Sequence, residues 1–162
     1  MKKFISSSSA ETKRFAETLA RRIKYQVSSI KYRRHALVFA LEGELGSGKT
    51  TFVQGFFRGL GIKRRAVSPT FIIMRKVKLP ATSYQQPATR YVYHMDAYRI
   101  RKPRELLKMG FKEILSDSCN IVLVEWAGNV KRILPKSTLW LYFSHGMDKH
   151  ERIIRIAAHA RA

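Results

Sequence analysis

The sequence predicts an α/β fold built around buried parallel strands, and three observations lead to that prediction. Two are continuous apolar runs of strand length, residues 36–42 and 121–125, each of which ends in an acidic residue. Such runs are typical of strands covered on both faces. The third is a glycine-rich turn, residues 43–50, which joins the first run to a segment with helical spacing. Strand and helix therefore alternate as they do in a parallel sheet.

The glycine-rich turn matches the phosphate-loop pattern G-x-x-x-x-G-K-[ST] at Gly43, Gly48, Lys49 and Thr50. Glycines allow successive backbone N–H groups to converge on phosphate oxygens, and the helix that follows adds the positive end of its dipole. Lys49 is expected to reach the β- and γ-phosphates, and Thr50 to offer its hydroxyl to Mg²⁺. The alternative is an ordinary glycine-rich turn, but the flanking strand and helix favour nucleotide binding.

Composition indicates one folded domain, residues 1–162, with 45% hydrophobic residues. The net charge is +21, which favours a polyanionic partner such as RNA or an acidic protein. A solvated basic surface without any partner is equally compatible with this charge. The sequence has a single cysteine, Cys119, a start too weakly apolar for a signal peptide, and no run long enough to span a membrane. We therefore expect a cytoplasmic protein with no membrane contact.

The first helix is predicted from a capping box at Ser8 and Glu11, followed by apolar residues on one face as far as Ile23. Residues 26–34 are polar and predict a loop. A second helix, residues 50–60, follows the phosphate loop and stops at glycines.

Residues 67–71 form an unusual string in which Ser68 and Thr70 flank Pro69. A loop placed one helix after a phosphate loop can reach the γ-phosphate, so this segment is a candidate nucleotide sensor, as in a GTPase switch. An ordinary turn between a helix and a strand is the alternative. A strand over 71–78 and a long loop over 79–89 are expected to follow.

Two acidic residues are candidate functional groups because each lies near the end of an apolar strand. In the strand 90–98, the period of two places Asp96 on one face with His94 and Tyr98. A buried carboxylate needs a metal or a cationic partner, so a functional role and a pair with Arg99 both stay open. Glu125 ends the second apolar run and resembles a Walker B acid that contacts Mg²⁺; a surface glutamate is its alternative.

The rest of the chain predicts structural elements without further chemistry. A helix over 102–110 precedes a short helical turn at 111–115, and a basic, loop-like stretch ends at Pro135. Two alternating strands, 138–144 and 152–157, flank a turn at 145–151. The histidines of this part show no ligand spacing, so we expect no zinc site.

The ordered motifs GELGSGKTT, VSPTF, YHMDAYRI, ELLKMGFKEIL and IVLVEW resemble the TsaE family, the P-loop ATPase of bacterial tRNA threonylcarbamoyladenosine biosynthesis. The resemblance extends from Glu11 to about Arg155. It implies a P-loop NTPase-type three-layer α/β sandwich with a central mixed β-sheet. It also implies ATP and Mg²⁺ as cofactors, and TsaD and TsaB as protein partners that carry out the transfer to tRNA.

The resemblance also implies roles for individual residues. It gives Lys49, Asp96 and Glu125 catalytic roles, with Thr50 and Glu125 on Mg²⁺ and Trp126 as a functional aromatic. Thr12 is an implied nucleotide contact, and so is Arg152, although Glu151 replaces the glycine that usually precedes it. The implied ATP-binding loop consists of Gly43, Glu44, Leu45, Gly46, Ser47, Gly48, Lys49, Thr50 and Thr51.

Two other functions are compatible with the sequence. A P-loop kinase of a small molecule or nucleic-acid end could use the arginines between positions 99 and 104 as a lid. A non-enzymatic RNA-binding protein could rely on the net charge of +21 alone. A GTPase is disfavoured because the sequence lacks the N-K-x-D string. No arginine finger is evident, so we expect slow ATP hydrolysis that partner proteins accelerate.

Overall fold

A computed structural model describes residues 2–27, 34–63, 69, 72–80 and 91–158. Its centre is a seven-stranded mixed sheet in the order β1-β7-β6-β2-β5-β4-β3. The strands are β1 Lys2–Ser6, β2 Leu37–Gly43, β3 Met74–Lys78, β4 Tyr91–Asp96, β5 Asn120–Glu125, β6 Leu139–His145 and β7 Arg152–Ala157. The helices are α1 Ser9–Val27, α2 Lys49–Gly59, α3 Arg104–Lys108, α4 Phe111–Ser116 and a 3₁₀ helix Ala127–Ile133. The predicted α/β sandwich with a central mixed sheet is confirmed.

Four neighbouring strands, β6, β2, β5 and β4, run parallel, and the outer strands pair antiparallel. The parallel strands are hydrophobic at nearly every position because helices cover both of their faces. Every residue of β5 is buried. The carboxyl ends of β2, β4 and β5 therefore meet at one edge of the sheet, where ligands bind in folds of this kind.

The two faces of the sheet support two separate hydrophobic cores. Phe39 and Leu41 of β2 pack with α1 and α2, whereas Val38 and Ala40 pack with α3, α4 and the 3₁₀ helix. This division follows from the alternation of side chains along a strand. The helices α1 and α2 approach closely because Gly55 faces the Lys13 backbone without a side chain between them.

Several element boundaries differ from the prediction. The strand β1 is not among the predicted elements, and it pairs with β7, which lies near the other end of the sequence. The helix α1 continues to Val27, into the segment predicted as a loop. The strand predicted over 71–78 begins only at Met74, because Ile73 has φ +62° and breaks the extended backbone.

The stretch predicted as a basic loop before Pro135 contains the 3₁₀ helix Ala127–Ile133. Ala127 and Val130 are buried in the second core, and the Gly128 N–H donates a 2.5 Å hydrogen bond to the Glu42 carboxylate. Tertiary contacts thus order a stretch whose own pattern is weak. Residues 68, 70 and 81–90 lie outside the described part of the chain. Within that part, no helix is long and apolar enough to cross a membrane.

Candidate functional site

A cavity of about 500 Å³ lies at the carboxyl edge of the parallel strands, directly against the phosphate loop. Its size is in the usual range for a small-molecule site. Most of the predicted site residues that the structure describes line this cavity, together with Tyr98, which was not predicted to be functional. The lining consists of Leu45, Gly46, Gly48, Lys49, Thr50, Thr51, Asp96, Tyr98, Glu125 and Trp126.

The phosphate loop takes its shape from glycines with positive φ. Gly43, Gly46 and Gly48 have φ values of +147°, +74° and +102°, a region that residues with a side chain rarely adopt. A Cβ atom at Gly43 would also collide with the Phe143 carbonyl on β6. The loop therefore leaves β2 without side-chain interference, and α2 begins immediately after it at Lys49.

Lys49 lies inside the loop and is almost completely buried. Its Nζ donates hydrogen bonds of 2.6 and 2.7 Å to the carbonyl oxygens of Gly43 and Glu44. The Trp126 ring covers the same ammonium group, with its centroid 4.2 Å from Nζ. Burial lowers the pKa of Lys49, and the carboxylate of Glu125 opposes that shift. The group is thus a desolvated cation whose contacts a phosphate oxygen could replace.

The Thr50 hydroxyl, at the start of α2, contacts the Glu125 carboxylate, at the carboxyl end of β5. The Thr50 Oγ1 lies 2.8 Å from Oε2 and 3.1 Å from Oε1 of Glu125. The same carboxylate lies 2.8 Å from the His94 Nε2, and both side chains are buried. An ionised carboxylate can only accept, so the Nε2 carries the proton in this contact. The interpretation of Glu125 as an ordinary surface residue is wrong, because it is only 2% exposed.

Asp96 and Trp126 complete the wall opposite the loop. Asp96 is buried at the end of β4, and its Oδ1 accepts a 2.9 Å hydrogen bond from the Tyr98 N–H. Trp126 has φ +56°, an unusual conformation for a residue with a large side chain. This conformation directs the Trp126 ring toward Lys49 and the Tyr98 ring, whose centroid is 5.0 Å away.

His94 and Tyr98 are the site residues that sequence reasoning did not select. The period of two places both of them on the face of Asp96, and this was the available signal. The hydrogen-bond partner of His94 could not be predicted from the sequence. In the register of the sheet His94 lies opposite Leu123, but its ring reaches the Glu125 carboxylate two residues further along β5.

Five predicted nucleotide contacts are not among the lining residues: Gly43, Glu44 and Ser47 belong to the loop itself, whereas Thr12 and Arg152 lie elsewhere in the sequence. The Thr12 hydroxyl is buried and lies 2.8 Å from the Ser6 hydroxyl, at the junction of β1 and α1. Arg152 lies behind the loop, where its Nε donates a 3.1 Å hydrogen bond to the Gly46 carbonyl. The roles of Thr12 and Arg152 stay predictions. Ser68 and Thr70 belong to the segment outside the described residues.

The arrangement fits a nucleotide with its magnesium ion better than a metal held by the protein alone. Among the residues that the structure describes, no three His, Cys, Asp or Glu side chains are grouped to hold a metal ion. Mg²⁺ in phosphate-transfer sites is usually held by one or two protein oxygens together with phosphates and water. The hydroxyl of Thr50 and the carboxylate of Glu125, in contact beside a glycine cradle, are donors of that kind.

A buried parallel strand, a glycine loop with positive φ, and a helix beginning with lysine and threonine together define the class of P-loop nucleotide-binding proteins. Comparison with known families then identifies the particular one. The chain belongs to the TsaE family: the family model described as threonylcarbamoyl adenosine biosynthesis protein TsaE matches residues 6–154. The predicted family is confirmed, and with it the connection to tRNA threonylcarbamoyladenosine biosynthesis.

Individual relatives agree with this assignment. The tRNA threonylcarbamoyladenosine biosynthesis protein TsaE of Bacillus subtilis (strain 168) is 37% identical over 119 residues, which are 72% of this chain and 66% of that protein. The protein of the same name from Rickettsia prowazekii is 32% identical over 129 residues, 79% of this chain and 76% of that protein. The crystal structure of the Bacillus protein YdiB superposes with a TM-score of 0.69 and 30% identity, covering 98% of this chain and 86% of that one.

Proposed function

We propose that this chain binds ATP with Mg²⁺ in the carboxyl-edge cavity and hydrolyses it in support of tRNA threonylcarbamoyladenosine formation. TsaD and TsaB are the proposed protein partners, and the cytoplasm, where tRNA is modified, is the proposed location. The observation that carries this proposal is the contact between the Thr50 hydroxyl and the Glu125 carboxylate beside the glycine loop. This contact supports the proposal because a hydroxyl after the phosphate-loop lysine and a nearby carboxylate are the protein groups that hold Mg²⁺ in sites of this kind.

Each residue has a task that its position supports. The backbone N–H groups of the loop and the start of α2 stabilise negative charge on phosphate oxygens. Lys49 exchanges its two carbonyl acceptors for phosphate oxygens, while Trp126 keeps water away from the ammonium group. Thr50 and Glu125 would hold Mg²⁺, which supplies charge neutralisation to the transferring phosphate. Asp96 faces the same cavity and can orient the attacking water.

The decisive experiment measures ATP hydrolysis by the wild-type chain and by Lys49→Ala, each alone and with TsaD–TsaB. We expect slow turnover alone, stimulation by the partners, and loss of both in Lys49→Ala. Arg14→Ala is the matched control, since it removes one positive charge from an exposed position on α1. Fast hydrolysis that the partners leave unchanged would contradict partner activation, and wild-type turnover by Lys49→Ala would contradict the proposed site.

A further inference from the structure

A second concave surface lies at the opposite edge of the sheet and has no part in the proposed ATP site. It is a groove of about 570 Å³. His35 precedes β2, Ser116 ends α4 before β5, and residues 134–137 precede β6. These three strands are parallel, so their amino ends share one edge and the phosphate loop lies at the other. Strands of six or seven residues separate the two edges by about 20 Å.

The groove is lined by positive charge without a carboxylate. Lys112, Arg132 and Lys136 are exposed, and no acidic residue is among the described residues that line it. The nearest acids in sequence have other surroundings. Glu113 places its carboxylate beside Gly110, and Asp117 accepts a 2.8 Å hydrogen bond from the Cys119 N–H. An anion in the groove would therefore meet three cations and no opposing negative charge from its walls.

The lining of the groove also contains apolar residues, which distinguishes it from a simple phosphate site. They are Leu107, Leu115, Ile133, Leu134 and Pro135. A ligand that combines negative groups with sugar or base surface suits such a mixture, because the apolar atoms of the ligand can cover these side chains. Inorganic phosphate would leave most of a groove of this volume empty.

Charged residues of both signs adjoin the lining in sequence. Arg34 and Lys108 are exposed beside His35 and Leu107, and Glu113 and Asp117 are exposed beside Lys112 and Ser116. Within the lining itself the three cations Lys112, Arg132 and Lys136 face no carboxylate, and a regularly charged chain can bring one phosphate to each of them, with release of counterions at each contact. The net charge of +21, which the ATP site does not require, is then explained in part.

We propose that this amino-edge groove binds the phosphodiester backbone of RNA, with Lys112, Arg132 and Lys136 contacting phosphates. The RNA in question is the tRNA of the proposed function, but the binding itself does not depend on ATP hydrolysis. Phosphate contacts of this kind set affinity and position on the RNA, and leave the choice of tRNA to other contacts.

The test compares two triple variants with equal loss of charge. The groove variant is Lys112→Gln, Arg132→Gln and Lys136→Gln. The matched control is Lys3→Gln, Lys13→Gln and Arg14→Gln, on β1 and α1 away from the groove. Binding of an unmodified tRNA transcript is measured by fluorescence anisotropy over a series of salt concentrations without nucleotide. ATP binding by both variants is measured in parallel, so that loss of the groove and failure of the ATP site are distinguished.

We expect the groove variant to lower the slope of log affinity against log salt by about 2, since each lost phosphate contact removes roughly 0.7 to 0.9. If both affinity lines meet near 1 M salt, this is about a 100-fold loss of tRNA affinity at 0.1 M. The control should lose much less, and both should bind ATP normally. Equal losses of tRNA affinity in the two variants would overturn the proposal, because they would show that tRNA is attracted by the net charge of the whole protein and not by the groove. Unchanged tRNA binding by the groove variant would also overturn it. So would loss of TsaD–TsaB binding by the groove variant alone, measured by pull-down with both variants, because the groove would then be assigned to a protein partner.

Discussion

The hydrogen bond between His94 and Glu125 is expected to affect turnover more than nucleotide affinity. The two side chains are 0% and 3% exposed, and the Nε2 to Oε1 distance is 2.8 Å. Hydrogen bonds to charged groups contribute about 1.5–3 kcal/mol. If His94→Leu loses that contribution wholly in the orientation of Glu125, turnover should fall by roughly 10- to 150-fold. The phosphate contacts of the loop do not involve His94, so ATP affinity without Mg²⁺ should change little.

The assay measures kcat and KM for ATP with TsaD–TsaB over a series of Mg²⁺ concentrations. His94→Gln serves as the conservative variant, because its amide can still donate to the carboxylate and should recover part of the turnover. The Nδ1 of His94 has no hydrogen-bond partner among the described residues, so the loss of this atom in either variant should not itself lower turnover or stability. A kcat within twofold of wild type in a normally folded His94→Leu protein would refute the reasoning. Equal losses in both variants with lowered melting temperatures would show a structural role instead.

Three further predictions concern the scaffold around the site. In Gly55→Ala, the new Cβ would lie 2.6 Å from the Lys13 Cα, so we expect a loss of about 1–3 kcal/mol of stability and a lower calorimetric Tm; an unchanged or raised Tm would contradict this. The pKa of Glu11 is lowered because the Ser7 N–H and hydroxyl donate to its carboxylate. Its stabilisation is therefore present above the ordinary pKa of 4.5 and lost as pH falls through the lowered value, so urea titrations should show Glu11→Gln less stable at pH 7, with the gap closing in acid. A difference in stability between wild type and Glu11→Gln that persists in acid would contradict an origin in the ionised Glu11 carboxylate. Gly43→Ala should weaken ATP binding more than tenfold by calorimetry, because a Cβ there meets the β6 backbone at φ +147°, and normal affinity would disprove the need for glycine.

The central part of the fold was predictable because its signals are local. The strands β2 and β5 are continuous apolar runs, and the glycine pattern between β2 and α2 is specific for a phosphate loop when a strand and a helix flank it. Parallel strands at these positions place Glu125 near Thr50, and the structure brings the two side chains into contact. The direction of the strands thus predicted the proximity of Thr50 and Glu125 as well as the fold.

The features that were missed depend on contacts between distant parts of the chain. Nothing in the composition of β1 indicates that it pairs with β7, since it contains two lysines and exposed Ile5. The 3₁₀ helix after Trp126 is fixed by the Glu42 carboxylate, which is 86 residues earlier in the sequence. The partner of His94 likewise depends on how far its ring reaches along β5, which a periodicity cannot specify.

The positions of the acidic residues distinguish the two anion sites proposed for this basic chain. Six of its eleven acids, Glu42, Glu44, Asp96, Glu125, Asp148 and Glu151, lie at the carboxyl edge of the sheet or in the turns beside it. Two of them, Asp96 and Glu125, line the cavity, so a bare polyphosphate there would face negative charge that the proposed magnesium ion would screen. The amino-edge groove has no carboxylate in its described lining and needs no such ion. On the two proposals made above, the same sheet would therefore bind a metal-chelated nucleotide at one edge and an unchelated phosphodiester chain at the other.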